Sequence, residues 1–261
     1  MLLVVDIGNT NIVFGVFEGE QLLSQWRIQT HSQRTADELG ILIRQFFQIE
    51  NLNLSDIQGA IVACVMPTAL PAVQDMLTRY CKVEPLIVGP GIRTQMPILC
   101  ENPREVGADR IVNAVGAYAR YRQGLIVVDF GTATTFDAVS PRGEYLGGVI
   151  APGIKISAEA LFQHASKLPR VELVRPERVV GRNTVNSMQS GLIFGYVGLV
   201  EEIVRRMRAE LAFDVQCVAT GGLADLISSE TSCVKAVHPH LTLEGLRLIH
   251  ERNLAHASRN A

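Results

Sequence analysis

The chain has 261 residues, 48% hydrophobic and 19% charged, with a formal net charge of -2. That length suits one large or two ordinary domains with proper cores, and the composition excludes a disordered or fibrous chain. The weak charge argues against a general nucleic-acid binder.

Met1 is followed by four apolar residues and then Asp6. No basic leader precedes them, which argues against a secretory signal. Cys64, Cys81, Cys100, Cys217 and Cys233 are odd in number and contain no CxxC pair. They read as reduced thiols of a cytoplasmic protein rather than as disulfides or a zinc site.

In chain order, "LLVVDIGNTN" is a strand that runs into an Asp and a Gly-Asn-Thr turn. "IVFGVF", a turn at "EGE" and "QLLSQWRI" follow, all short and rich in β-branched or aromatic residues, so the chain returns as a hairpin. "TADELGILIRQFF" carries a capping box, Thr35 with Glu38, and apolar residues at helical spacing. "GAIVACV" reads as a strand, "ALPAVQDMLTRY" as a helix and "EPLIVG" as a strand. Asn102, Pro103 and Glu105 of "ENPREVGADRIVNAVGAYARY" form a second helix-start signal, which predicts a helix from that point. Far downstream the opening plan repeats: "LIVVDFGTAT", "TFDAVS", a turn at "PRGE", then "YLGGVI". "ISAEALFQHASKL" and "NSMQSGLIFGYVGLVEEIVRRMRAEL" read as helices, "VQCVAT" as a strand and "ADLISS" as a short helix. "TLEGLRLIHERNLA" is a final helix packing against a domain, and the tail "HASRNA" is expected to fray. The uncharged run in the long helix is interrupted by Asn, Ser and Gln, so it is read as a buried helix rather than a membrane span. Its Gly191 to Gly198 spacing suits close packing or a subunit interface.

The duplicated order predicts two α/β domains with mixed sheets, 1–118 and 119–261, facing a cleft. The last helix is a candidate to pack back on the first domain. Neither Asp-Gly turn opens a helix, and neither GxxxxGK[ST] nor GxGxxG occurs, so the common helix-opening phosphate loops are excluded. Two aligned copies instead suit a polyphosphate. Gly8 and Gly131 allow close backbone approach, Asn9, Thr10, Thr132 and Thr134 offer donors, and Asp6 and Asp129 supply carboxylates for hydrated magnesium. Gly221 and Gly222 of "VATGGLA" suit the flat adenine end. Asp109 is a candidate base for an alcohol, and Arg110 beside it a candidate holder of a carboxylate. Ordinary turn chemistry and solvated helix charges are the bland readings of the same residues. His164, His238, His240 and His250 lack metal-site context, and Trp26 reads as packing.

These motifs resemble the acetate and sugar kinase, heat-shock chaperone and actin superfamily, and within it the type III pantothenate kinases. "DIGNTN", "GPGI", "NPREVGADRIVNA", "DFGTATTFD", "GGVIAPG", "GRNT", "QSG" and "TGG" occur in the expected order across the chain. The resemblance implies an actin-like ATPase fold: two duplicated ribonuclease-H-like α/β domains with mixed five-stranded sheets flanking an ATP cleft. It implies ATP-dependent phosphorylation of pantothenate, the first step of coenzyme A synthesis, with Asp109 as proton acceptor. Asp6, Ile7, Gly8, Asn9, Thr10, Asn11, Ile12, Val13 and Thr132 would meet ATP with its Mg2+. Gly107, Ala108, Asp109, Arg110 and Thr184 would meet pantothenate, and Asp129 a monovalent cation, K+ or NH4+. A cytoplasmic homodimer acting without nucleic acid or membrane is implied as well. One substrate contact departs from the pattern: Cys100 stands where the family usually has Tyr. "ACVMP" also lacks expected serines. A regulator without catalysis and a kinase for another small hydroxy acid are the competing readings. An actin-like filament protein needs extra subdomains for which the chain has no room.

Overall fold

The computed structural model describes residues 1–260, with side chains through His256. It divides into two compact units: Met1–Pro97, Glu101–Gly116 and Leu241–Ala261 form the first, Ile98–Cys100 and Ala117–His240 the second.

In the first unit, β1 (Leu2–Ile7), β2 (Asn11–Glu18) and β3 (Gln21–Gln29) form an antiparallel meander, and β4 (Gly59–Cys64) and β5 (Pro85–Ile87) add in parallel. The order is β3-β2-β1-β4-β5. Alternate residues of these strands bury two faces, as a period of two requires. Leu3, Val5, Ile7, Phe14 and Val62 share one core with helices α1 (Ala36–Ile49) and α2 (Leu70–Met76). Trp26 lies flat on Phe46 of α1, centroids 5.3 Å apart. The predicted capping box of α1 is formed: the Thr35 hydroxyl accepts from Glu38 N–H at 3.3 Å and Glu38 accepts from Thr35 N–H at 2.7 Å. After α2 the chain unwinds into a wider π turn, Leu77–Cys81, which ends at Lys82 with φ +60°.

The expected helix at Asn102 is corrected. Asn102 does cap, accepting from Arg104 N–H at 3.3 Å, but it caps only a 3-10 turn, Pro103–Glu105, which breaks at extended Val106. Helix α3 (Ala108–Tyr121) starts separately, with Ile111 N–H donating to the Gly107 carbonyl. The break puts Asp109 into the first helical turn.

The second unit repeats the topology. Strands β6 (Leu125–Phe130), β7 (Ala133–Val139) and β8 (Tyr145–Pro152) form the meander, and β9 (Gln216–Thr220) and β10 (Val234–Val237) add in parallel, giving β10-β9-β6-β7-β8. β10 was not singled out by pattern because "VKAV" is short and carries an outward Lys235. Helices α4 (Ile154–His164), α5 (Thr184–Glu210) and α6 (Ala224–Ser228) cover one face through Ile154, Ile193, Tyr196, Val200 and Ile227. Fully buried Asp137 is held by the Tyr145 hydroxyl at 2.6 Å, which meets the requirement that a buried carboxylate be paired.

Helix α7 (Leu241–Asn260) returns to the first unit and packs on β1, β2 and β4, its Leu243, Leu246 and Ile249 buried. It continues through most of the tail expected to fray; the side chains of 257–260 and Ala261 lie outside the described residues. No helix among the described residues is long and apolar enough to cross a membrane. Where α7 meets α3, a methyl group at Gly245 would collide with the Val112 carbonyl. Backbone cannot yield as a side chain can, so Gly245→Ala is expected to cost about 1–3 kcal/mol. An unchanged urea midpoint would refute that close packing.

Candidate active site

Both Asp-Gly turns sit at the carboxyl end of a central strand. Asp6 pairs with Val13 and Ala63, and Asp129 with Thr135 and Thr220, so each strand is hydrogen-bonded on both sides. Only the strand end is left for a ligand, and both carboxylates are half-buried there.

In the first turn Gly8 N–H donates to the Asn11 carbonyl at 3.0 Å. Thr30, which the sequence reading passed over, closes the turn from outside. Its hydroxyl donates to the Gly8 carbonyl at 2.7 Å and its N–H to the Thr10 carbonyl at 2.9 Å. Asn9 and Thr10 stay exposed; Ile7 and Ile12 are buried, so those two can meet a ligand only through their main chain.

In the second turn Gly131 N–H donates to the Ala133 carbonyl at 3.1 Å, and Gly131 and Thr132 are exposed. Thr134 is turned inward instead: its hydroxyl is buried and finds no hydrogen-bond partner. Two glycines fit against this turn. A methyl at Gly153, the residue before α4, would strike the Thr132 carbonyl. A methyl at Gly221 would lie 2.5 Å from Asp129 Oδ1 and 2.7 Å from the Phe130 backbone, and Gly221 has φ +94°. Gly153 had been noted only as part of a motif; its partner is some twenty residues away in sequence.

Gly107, Ala108, Asp109 and Arg110 come together at the carboxyl ends of β1 and β4. Val65 N–H donates to the Ile7 carbonyl at 3.0 Å, and a methyl at Gly107 would lie 3.6 Å from Val65 Cγ1 and 2.6 Å from Asp109 Oδ1. The Asp109 carboxylate therefore leans back over Gly107, where it accepts Arg110 N–H at 2.8 Å. Burial pushes its pKa above the usual carboxylate range, while the Arg110 N–H and guanidinium pull the other way and lose.

The remaining candidates lie on other elements of the second unit. Cys100 follows a short bridge to β8, with Leu99 N–H donating to the Tyr145 carbonyl at 2.8 Å; its sulfur is 3.8 Å from where a Gly147 methyl would stand. Thr184 is exposed at the start of α5, next to Asn183, which caps the helix by accepting from Asn186 N–H at 2.8 Å.

The type III pantothenate kinase family model matches residues 2–206. A type III pantothenate kinase of Myxococcus xanthus (strain DK1622) is 59% identical over 258 residues, 99% of this chain and 100% of the relative. The chain belongs to the type III pantothenate kinase family. Solved structures share the fold at lower identity. The activator of 2-hydroxyisocaproyl-CoA dehydratase from Clostridium difficile, with bound ADPNP, has TM-score 0.57 and 11% identity, covering 100% of this chain and 97% of that one. A conserved Campylobacter jejuni protein assigned to a Baf family of transcriptional activators has TM-score 0.59 and 19% identity, over 97% and 99%. The architecture is the duplicated ribonuclease-H-like α/β fold of the actin-like ATPases and sugar kinases.

No cluster of three or more His, Cys, Asp or Glu able to hold a metal occurs among the described residues. One carboxylate per turn instead fits Mg2+, which keeps several waters and is commonly shared with nucleotide phosphates. The bare Cα of Gly221 leaves room for the Asp129 carboxylate itself to pack beside the turn. Gly221→Ala would fill that space and impose a strained positive φ. ATP affinity is expected to fall about tenfold or more, which is about 1.4 kcal/mol, with the fold retained. Unchanged affinity by titration calorimetry would remove Gly221 from the site.

Proposed function

We propose that this kinase uses Asp109 as general base to phosphorylate pantothenate from ATP, giving 4'-phosphopantothenate at the first step of coenzyme A synthesis. The observation that carries the residue assignment is the Asp109 carboxylate, anchored through one oxygen by Arg110 N–H beside small Gly107 and Ala108, and raised in pKa by burial.

Phosphoryl transfer asks the protein chiefly for positioning and charge stabilisation. Asp109 accepts the proton of the substrate hydroxyl as its oxygen attacks the γ-phosphate. A raised pKa makes it a better proton acceptor than an exposed Asp, provided it is ionised at working pH. Arg110 holds the pantothenate carboxylate, with Gly107, Ala108, Cys100 and Thr184 completing the acceptor site. The turn Asp6–Val13 and Thr132 bind ATP through main-chain N–H groups, Asn9, Thr10 and the Thr132 hydroxyl. Mg2+ when bound would offset phosphate charge, and Asp6 and Asp129 are the carboxylates that would hold it. Asp129 also serves a monovalent cation, K+ or NH4+, which suits a turn that carries no lysine.

We further propose a cytoplasmic homodimer acting without nucleic acid or membrane. The stripe of Gly191, Gly195 and Gly198 on α5, where added methyl groups would meet nothing, supports a second copy packing there. Light scattering at twice the chain mass is expected; a monomeric mass would overturn it.

The direct test is ADP release with ATP, Mg2+ and K+, with and without pantothenate, and the mass of the product. Pantothenate-dependent release with a phosphorylated product is expected. Asp109→Asn should lose most turnover yet bind ATP as before. The sign for stability also follows. A carboxyl whose folded pKa exceeds its unfolded value loses stability as pH rises through that window, so at neutral pH the fold bears the full cost of the buried charge. Asp109→Asn is therefore expected to melt no lower than the parent. Activity of the parent should fall as pH drops through the raised Asp109 pKa. Undiminished turnover in the variant would refute the base assignment.

A further inference from the structure

Cys217 and Cys233 lie apart from the turns described above, on neighbouring strands of the second unit. β9 and β10 run parallel with Cys217 opposite Val234, and Cys233 is the residue just before β10. Cys217 is buried in the core under α5, and Cys233 packs against the same cluster while remaining half-exposed. The Cys217 thiol is within hydrogen-bonding reach of the Cys233 sulfur. Adjacent strands are about 4.8 Å apart and Cys233 stands one residue from the Cys217–Val234 pair, so the two cysteine Cα atoms are separated by roughly 6 Å, inside the range of about 4.4–6.8 Å that a disulfide spans.

The surroundings of Cys233 favour the thiolate. The Thr231 hydroxyl, which donates to Glu201 at 2.8 Å and accepts from Cys233 N–H at 3.2 Å, lies 3.3 Å from the Cys233 sulfur, and Arg208 reaches across from α5 to donate to the Cys233 carbonyl at 3.3 Å. The Cys217 thiol first, then Thr231 and the Arg208 charge, bring the Cys233 thiol down to about 6 against the opposing effects of burial and of the Glu201 charge. Cys217 moves the opposite way, raised by its bond to Cys233 and by burial. The half-exposed Cys233 sulfur is thus the one a small oxidant can reach, with the buried Cys217 thiol beside it. This is the division of labour between an attacking and a resolving cysteine. Cys64 and Cys81 are shifted the other way. Cys64 is raised by burial and by the Asp6 charge, and Cys81 is pushed up to about 12 by burial.

We propose that Cys233 and Cys217 form a peroxide-sensitive dithiol site that closes reversibly to an intramolecular disulfide. The Cys233 thiolate attacks one oxygen of a hydroperoxide, ROOH. An S–O bond forms as the O–O bond breaks, and the alkoxide leaves and takes a proton from water as ROH. Sulfur is oxidised by two electrons to sulfenic acid and the peroxide is reduced. The Cys217 sulfur then attacks Cys233, the S–S bond forms, and hydroxide leaves with the Cys217 proton as water. A dithiol reductant restores both thiols by exchange. The closed loop, Cys217–Cys233, contains the Gly221 turn that packs on Asp129.

The test uses the full chain, reduced and then treated with one to a few equivalents of hydrogen peroxide at neutral pH. Free thiols are blocked by alkylation and peptides are mapped by mass. The expected result is a Cys217–Cys233 crosslink formed before Cys64, Cys81 or Cys100 is modified, and lost on adding dithiothreitol. Cys217→Ala should stop at a Cys233 sulfenic acid that dimedone traps, and Cys233→Ser should give no crosslink. Wild-type mapping needs neither variant to fold. Oxidation of another cysteine first, or of Cys233 without a bond to Cys217, would overturn the proposal.

Discussion

A central strand bonded on both edges and covered on both faces has one place for a charge, its end. β1 meets β2 and β4, and β6 meets β7 and β9, so Asp6 and Asp129 can keep water or a ligand only where their strands stop. The apolar runs before each Asp are needed to bury the strand, and the Gly turn after each is needed to reverse it at once. The place left for a ligand at these turns is thus set by how the sheet must end. The fold's shared topology in both halves repeats that solution, β3-β2-β1-β4-β5 matching β8-β7-β6-β9-β10.

Asp109 is placed by different means. Val106 is extended, so the Asn102 turn cannot propagate, and the helix restarts on the Gly107 carbonyl. A continuous helix from Pro103 would carry Asp109 two turns in, with its backbone N–H groups consumed by the helix. Restarting it lets the carboxylate accept the first-turn N–H of Arg110 and lie over a residue without a side chain. The cost is desolvation, which shows as a raised pKa. That cost is the physical difference between Asp109 and an aspartate on a helix surface.

What the sequence made legible was whatever depends on neighbours in the chain. The repeated Asp-Gly hairpins, the capping box at Thr35 and Glu38 and the helical spacing in α5 are local, and they appear where the pattern places them. The α3 start was misplaced because a correct local signal at Asn102 was ended by the extended backbone of Val106. Thr30, Gly153 and Gly221 act on turns distant in sequence, so no spacing rule could assign those contacts. Of the residues implied by the family resemblance, Gly107 to Arg110 are gathered at one strand edge, and Cys100 and Thr184 stand on separate elements of the other unit.

The two units share a topology and differ where it matters chemically. In register, Ala63 lies beside Asp6 as Thr220 lies beside Asp129, so Cys64 occupies the place that Gly221 takes in the second sheet. A side chain at Cys64 brings a thiol close enough to Asp6 for the carboxylate charge to raise its pKa. At Gly221 the matching space is taken by Asp129 itself, since a methyl there would lie 2.5 Å from Asp129 Oδ1. One carboxylate therefore has a side chain beside it and the other packs against bare glycine backbone. The first unit carries a further buried carboxylate, Asp109, on α3, placed there by the break at Val106. Duplication supplied two equivalent strand ends, and one glycine and one interrupted helix made them unequal.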